Sequence, residues 1–223
     1  MNILVTGANG FVGIHLCQFL EKEGHNIFKL SRTEADLTNK NSAENFINSF
    51  KNIKIDIIIH TASKLFRINL NEEEQTKVFL ENIQISQNMV LISKELKPKK
   101  LINFSSMAVY PNIDGVFNES STIRMSDNTD CMYGLSKFCG ENIFDFYLKN
   151  QNIIISHLRI SQVYGEGMRE DRIIPIMKKE LCEKNTITVF GNGERISDFI
   201  NVNKLVESVN YFINTDIHGI YNI

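Results

Sequence analysis

The chain opens on MNILVTGANGFVG, Met1 to Gly13. Ile3, Leu4 and Val5 are an unbroken apolar run, the pattern of a strand buried on both faces. Glycines follow at positions 7, 10 and 13, and a stretch of helical period starts at Phe11. A glycine at a strand end permits a tight turn. A second lets backbone approach a phosphate without a Cβ in the way, and a third lets the helix pack close to the sheet. Free N–H groups at the helix start, with the helix dipole, favour a negative group there. The spacing is G-x-x-G-x-x-G, and taken alone it is equally a glycine turn with no ligand. Its place at the head of an alternating chain points to a dinucleotide cradle made by Gly7, Asn9, Gly10, Phe11, Val12 and Gly13.

The alternation continues. Apolar runs at Asn26–Leu30, Ile55–Ile59, Leu101–Phe104 and Ile153–Leu158 read as strands. Phe11–Glu23, Ser42–Phe50, Glu72–Leu96 and Tyr133–Lys149 read as helices between them. Strand and helix in turn argue a parallel sheet covered on both sides. Beyond Gly165 the pattern predicts a helix over Arg172–Leu181, short strands at Thr186–Phe190 and Asp198–Val202, and a helix over Asn203–Phe212. A turn running into a strand then occupies His218–Ile223. Tyr110 to Met132, rich in Ser, Asn, Asp and Thr, reads as one long loop, and loops of that length tend to be functional or mobile.

The 223 residues suit one large domain, or one domain with a smaller lobe. Apolar residues make up 43% and charged residues 22%, with a formal net charge of −2, so no basic surplus calls for nucleic acid or an anionic membrane. The N-terminus lacks the pattern of a secretion signal, and no apolar run approaches the roughly 18 residues that span a bilayer. The four cysteines, Cys17, Cys131, Cys139 and Cys182, show no C-x-x-C spacing. Reduced thiols and a cytoplasmic location are the expectation, with no metal site.

The second strand ends Leu30-Ser31-Arg32 with no carboxylate at the position that would hold an adenosine ribose. A hydroxyl and a guanidinium suit a 2′-phosphate, which favours NADP over NAD. Asp36 either reaches the adenine or caps the next helix. Tyr133 and Lys137, four apart, share one face of a helix. An ammonium and a cationic nicotinamide would both favour the phenolate, so the tyrosine could exchange a proton with a sugar oxygen while hydride moves. Ser105-Ser106 closes the fourth strand at the edge where open α/β sheets bind ligands.

Together these features resemble the extended short-chain dehydrogenase/reductase family, the nucleotide-sugar epimerases, dehydratases and reductases. Its opening T-G-x-x-G-F-x-G stands as Thr6 to Gly13, and its D-x-V-I-H-x-A-A is similar to Asp56 to Ser63. Its N-V-x-G-T segment resembles Asn82 to Ser86, and S-S-x-x-V-Y-G resembles Ser105 to Pro111. Y-x-x-S-K-x-x-x-E stands as Tyr133 to Glu141, R-x-x-N-V-Y-G resembles Arg159 to Gly165, and G-D-G-x-x-x-R-D-F resembles Gly191 to Phe199.

The resemblance implies an α/β fold, a doubly wound parallel sheet of the Rossmann type with a small C-terminal substrate lobe. Residues 1–165 would bind the dinucleotide, 166–197 belong to the lobe and 198–223 return to the first domain. It implies catalysis by Ser106, Tyr133 and Lys137, with Ser106 preferred to Ser105 by its spacing to Tyr110. Cofactor contacts extend to Ser31, Arg32, Asp36, Leu37, Thr61, Ala62, Ser63 and Asn82, and substrate contacts to Ser106, Gln162 and Arg195. Met107-Ala108 stand where the dehydratases carry an acid and a base, so dehydration is not expected. Members continue well past the strand resembling Gly219–Ile223, which marks the lobe here as incomplete. Pairing of the helices over Asn82–Lys94 and Tyr133–Lys149 would make a homodimer, with Phe138, Phe144 and Phe146 at the interface or in the core. The favoured reading is an NADP-linked (alternatively NAD-linked) reductase or epimerase of a nucleotide sugar, in a cell-surface polysaccharide pathway. The second is a cofactor-binding but catalytically idle sensor or scaffold.

Overall fold

The computed structural model describes residues 1–65, 71–113, 115–124, 131–189, 191–194 and 196–223. Six strands build one parallel sheet: β1 (Asn2–Thr6), β2 (Asn26–Leu30), β3 (Ile57–His60), β4 (Lys100–Ser106), β5 (Ile154–Ile160) and β8 (Gly219–Asn222). Their order across the sheet is β2-β1-β3-β4-β5-β8. Two more strands, β6 (Gln162–Tyr164) and β7 (Phe199–Asn201), pair in parallel apart from it.

Period-two alternation sends successive strand residues to opposite faces. Ile3, Val5, Ile57, Ile59, Ile102 and Phe104 meet α1 (Phe11–Lys22) and α6 (Val202–Asn214) on one side. Leu4, Ile58 and Leu101 meet α2 (Lys40–Phe50), α3 (Glu72–Leu96) and α4 (Cys131–Leu148) on the other. Helix α1 buries Gly13, Leu16, Cys17 and Leu20, a single stripe at helical spacing. Full burial of a side chain such as Leu16 stabilises by about 1.5–3 kcal/mol, so this stripe fixes α1 against β1.

Local signals set most boundaries. Asn39 caps α2 by accepting from the Ser42 N–H, which starts that helix at Lys40. Asn71 and Glu74 form a capping box at α3. The expected strand over Thr186–Phe190 is corrected: residues 186–189 follow α5 (Ile173–Lys184) without regular structure, and Phe190 lies outside the described residues. Ile187 and Val189 are exposed, and among the described residues no strand pairs with them. Strand β6 was not legible, because three residues are too few to show a period. Phe144 belongs to the core while Phe146 is 63% exposed, which divides the aromatic residues of α4 between two roles.

Candidate active site

Strand order reverses between β1 and β3, and a cleft of about 620 Å³ opens at the carboxyl ends of the strands there. One end is the glycine turn. Gly7 takes φ +66°, and a Cβ on it would stand 2.7 Å from the Thr61 hydroxyl oxygen and 2.9 Å from the Ala62 nitrogen. A Cβ on Gly13 would collide with the Gly7 carbonyl and stand 2.9 Å from the Ala8 Cα. Apart from the Thr61 hydroxyl these contacts are backbone, so a larger residue at Gly7 would push the turn away from residues 61–62, and one at Gly13 would force the turn and α1 apart. Gly10 is the N-cap of α1 and offers no side-chain cap, leaving first-turn N–H groups for an outside acceptor.

Two strand ends hold this turn in register. The Thr6 hydroxyl lies 2.8 Å from His60 Nδ1 and accepts from the Ala62 N–H at 3.2 Å, and the Thr61 hydroxyl donates to the Thr6 carbonyl at 2.6 Å. Burial, with a smaller push from the Lys137 charge, holds the His60 imidazole down to about 3, so it stays neutral.

The β2 end lines the cleft with Ser31, Arg32, Thr33, Asp36 and Leu37. Asp36 does not cap α2. Its carboxylate accepts from the Thr38 N–H at 2.9 Å and the Thr38 hydroxyl at 2.8 Å, which hold it below the usual carboxylate range. A carboxylate does stand near this strand end, contributed from three residues on: Glu34 accepts from the Ser31 N–H at 2.7 Å. The sequence signal for it was the short Ser31–Glu34 spacing, which matches a turn closed by a side chain. Arg32 lines the cleft with no hydrogen bond or ion pair among the described residues.

Ser106, Tyr133 and Lys137 line the same cleft at its other end, together with Ser63. The Ser106 hydroxyl accepts from the Ala108 N–H at 3.1 Å, capping the 3₁₀ turn Met107–Val109, which leaves its own proton to donate. Lys137 Nζ donates to the Phe104 carbonyl at 2.8 Å and lies 5.9 Å from the centre of the Tyr133 ring. Burial brings Lys137 down to about 8, with the Glu141 charge opposing. The expected lowering of the phenol by Lys137 is corrected: burial dominates and raises Tyr133, while the Ser63 and Ser106 hydroxyls and the Arg172 charge pull the other way. Arg172, just ahead of α5, was not singled out from sequence, since nothing local ties it to Tyr133.

Asn82 stands outside this cleft. It is 4% exposed, accepts from the Lys64 N–H at 2.8 Å, and donates to the Lys64 carbonyl and the Ser136 hydroxyl, both at 3.0 Å. It fixes the cleft wall at residues 61–65 to α4. Gln162 is exposed on β6 and does not line the cleft, and Arg195 lies outside the described residues. Among the described residues no helix is long and apolar enough to cross a membrane.

Comparison with known proteins places this geometry. The chain is 25% identical over 226 residues to GDP-L-colitose synthase of Yersinia pseudotuberculosis, covering 96% of this chain and 72% of that protein. It is 29% identical over 240 residues to GDP-6-deoxy-D-talose 4-dehydrogenase of Aggregatibacter actinomycetemcomitans, covering 100% of this chain and 78% of that one. Among solved structures, UDP-glucuronic acid 4-epimerase from Bacillus cereus in complex with NAD superposes with a TM-score of 0.83 at 26% identity, over 100% of this chain and 77% of that one. These relatives are enzymes of nucleotide sugars. The model of the NAD dependent epimerase/dehydratase family matches residues 3–223, and the chain belongs to that family.

Proposed function

We propose that this chain is a nicotinamide-dependent reductase or epimerase of a nucleotide-activated sugar, working through Ser106, Tyr133 and Lys137. One observation carries the reading: the glycine turn and these three side chains line a single cleft. The residues fit a dinucleotide, since a Cβ would fill the cradle at Gly7 and Gly13 and α1 begins without a side-chain cap. When bound, the nicotinamide takes and returns hydride. Tyr133 exchanges the proton of the sugar oxygen, Ser106 donates to that oxygen, and Lys137 anchors the ribose. Burial raises the phenol above its ordinary value, which suits giving its proton to a sugar carbonyl in a reductive step.

Arg32, which makes no hydrogen bond or ion pair among the described residues, and the Ser31 hydroxyl favour a 2′-phosphate, hence NADP, with NAD as the alternative that the Bacillus cereus complex carries. Met107 and Ala108 transfer no proton, which argues against dehydration. Residues 166–197 would belong to the lobe that holds the sugar nucleotide, with Gln162 and Arg195 as its contacts. Exposed Leu80, Phe146 and Tyr147 on α3 and α4 suit a helix-paired homodimer. Free Cys17, Cys139 and Cys182 suit the cytoplasm. The idle-scaffold reading gains no support, since all three chemical groups face the cofactor cleft.

Fluorescence titration with NADPH and NADH, followed by turnover on UDP-, dTDP- and GDP-sugars, tests the proposal. Micromolar binding and absorbance change at 340 nm or sugar interconversion are expected. Absence of binding to both cofactors overturns it.

A further inference from the structure

The strand that carries Ser106 ends in two serines, and both border the cleft. Ser105 is 5% exposed and its hydroxyl donates to Glu141 Oε1 at 2.5 Å. Glu141 lies one helical turn beyond Lys137 on α4. The same carboxylate accepts from Arg159 Nε at 3.0 Å and from Arg159 Nη2 at 2.7 Å, and both partners are almost wholly buried. Arg159 on β5 donates in turn to the Tyr110 hydroxyl at 2.9 Å, which donates to Asn222 on β8 at 2.8 Å.

A buried ion pair of this kind adds little net stability, since desolvation offsets most of the attraction. What it adds is direction. Apolar packing between α4 and β4 leaves the two elements free to slide by fractions of an ångström. A bidentate carboxylate that also takes a hydroxyl from the strand does not. Glu141 is thus fixed by β5 and in turn fixes the residue next to Ser106, while its own helix carries Tyr133 and Lys137. The Lys137 bond to the Phe104 carbonyl is a second tie across the same junction.

We propose that Ser105 is a positioning residue, which through Glu141 and Arg159 sets the register between the strand end bearing Ser106 and the helix bearing Tyr133 and Lys137. This rests on the catalytic reading given above. It divides the serine pair: one hydroxyl faces the reacting oxygen and the other holds its neighbour in place.

Ser105→Ala tests it, because that change removes one hydroxyl and leaves the Glu141–Arg159 pair intact. Ser105→Thr, which keeps a hydroxyl, and Tyr133→Phe complete the set. NADPH and NADH dissociation constants, melting temperature, and kcat and KM on the UDP-, dTDP- and GDP-sugar panel are measured for each. For Ser105→Ala, kcat falls about tenfold or more, since small misplacement of reacting groups is costly, while KM and cofactor affinity stay within about twofold. Ser105→Thr recovers kcat to within about threefold. Wild-type kcat in Ser105→Ala, beside an inactive Tyr133→Phe, overturns this proposal alone. A joint loss of melting temperature, cofactor affinity and kcat that Ser105→Thr does not rescue also overturns it, as a general structural role. Wild-type turnover by Tyr133→Phe overturns the catalytic reading, and the proposal with it.

Discussion

Lys137→Met separates the chemistry of this site from its stability. Burial holds the Lys137 ammonium down from 10.5 to about 8 in the folded protein. That depression corresponds to roughly 3 kcal/mol by which the folded state is disfavoured at neutral pH, where the unfolded chain keeps the charge in water. Methionine has similar length and no charge, so the substitution removes this cost. It also leaves the Phe104 carbonyl without its 2.8 Å donor, which takes back about 1–2 kcal/mol. The net expectation is a gain of about 1–2 kcal/mol at pH 7, or a melting temperature raised by about 3–6 °C for a chain of this size. The gain has a pH signature. Below about 8 the lysine is protonated in both folded and unfolded wild-type chains, and the folded state carries the full cost. Between about 8 and 10.5 the unfolded chain binds the extra proton, so wild-type stability rises with pH; the advantage of the variant shrinks and then reverses, because the cost of the unpaired Phe104 carbonyl remains. Calorimetric melting of both proteins without cofactor at pH 7, 8, 9 and 10 reads this directly. A variant no more stable than wild type at pH 7, or an advantage unchanged at pH 10, refutes the reasoning.

Three further outcomes follow from named contacts. Gly13→Ala forces a Cβ into the Gly7 carbonyl; overpacking of this kind costs about 1–3 kcal/mol, and calorimetry is expected to show a lower melting temperature with cofactor affinity reduced about tenfold. Asn82→Ala leaves the Lys64 N–H and the Ser136 hydroxyl short of a buried partner; a loss of about 2–3 kcal/mol and faster hydrogen exchange across residues 61–65 are expected. Arg32→Ala removes the cleft guanidinium, so NADPH binding weakens roughly 10- to 100-fold while NADH binding stays within about twofold; equal loss for both cofactors contradicts the 2′-phosphate reading.

Where the sequence repeats a physical period, it was legible. Helix α3 spans Glu72–Leu96 and β2 spans Asn26–Leu30, as their apolar patterns predict. Helix α4 starts at Cys131, two residues ahead of the expected Tyr133. Segments set by long-range pairing were not legible: β6 exists because β7 lies beside it, and Thr186–Val189 forms no strand because none of the described residues pairs with it. The same division holds in the site. The glycine turn, Tyr133 and Lys137 are read from local spacing. The closure of Glu34 onto the Ser31 N–H has a local signal in its spacing, whereas the buried Ser105–Glu141–Arg159 chain joins side chains far apart in sequence, whose local context shows none of their partners. The raised phenol of Tyr133 belongs to this second kind, since burial is a property of the packed fold.

The central claim is that Tyr133 exchanges the proton during hydride transfer. Tyr133→Phe removes one hydroxyl from the cleft, and turnover on the nucleotide-sugar panel measured beside cofactor affinity tests the claim most directly. Cofactor binding within about twofold of wild type is expected, with kcat reduced by about 10²–10⁴. A Tyr133→Phe enzyme that binds cofactor and keeps wild-type kcat contradicts it.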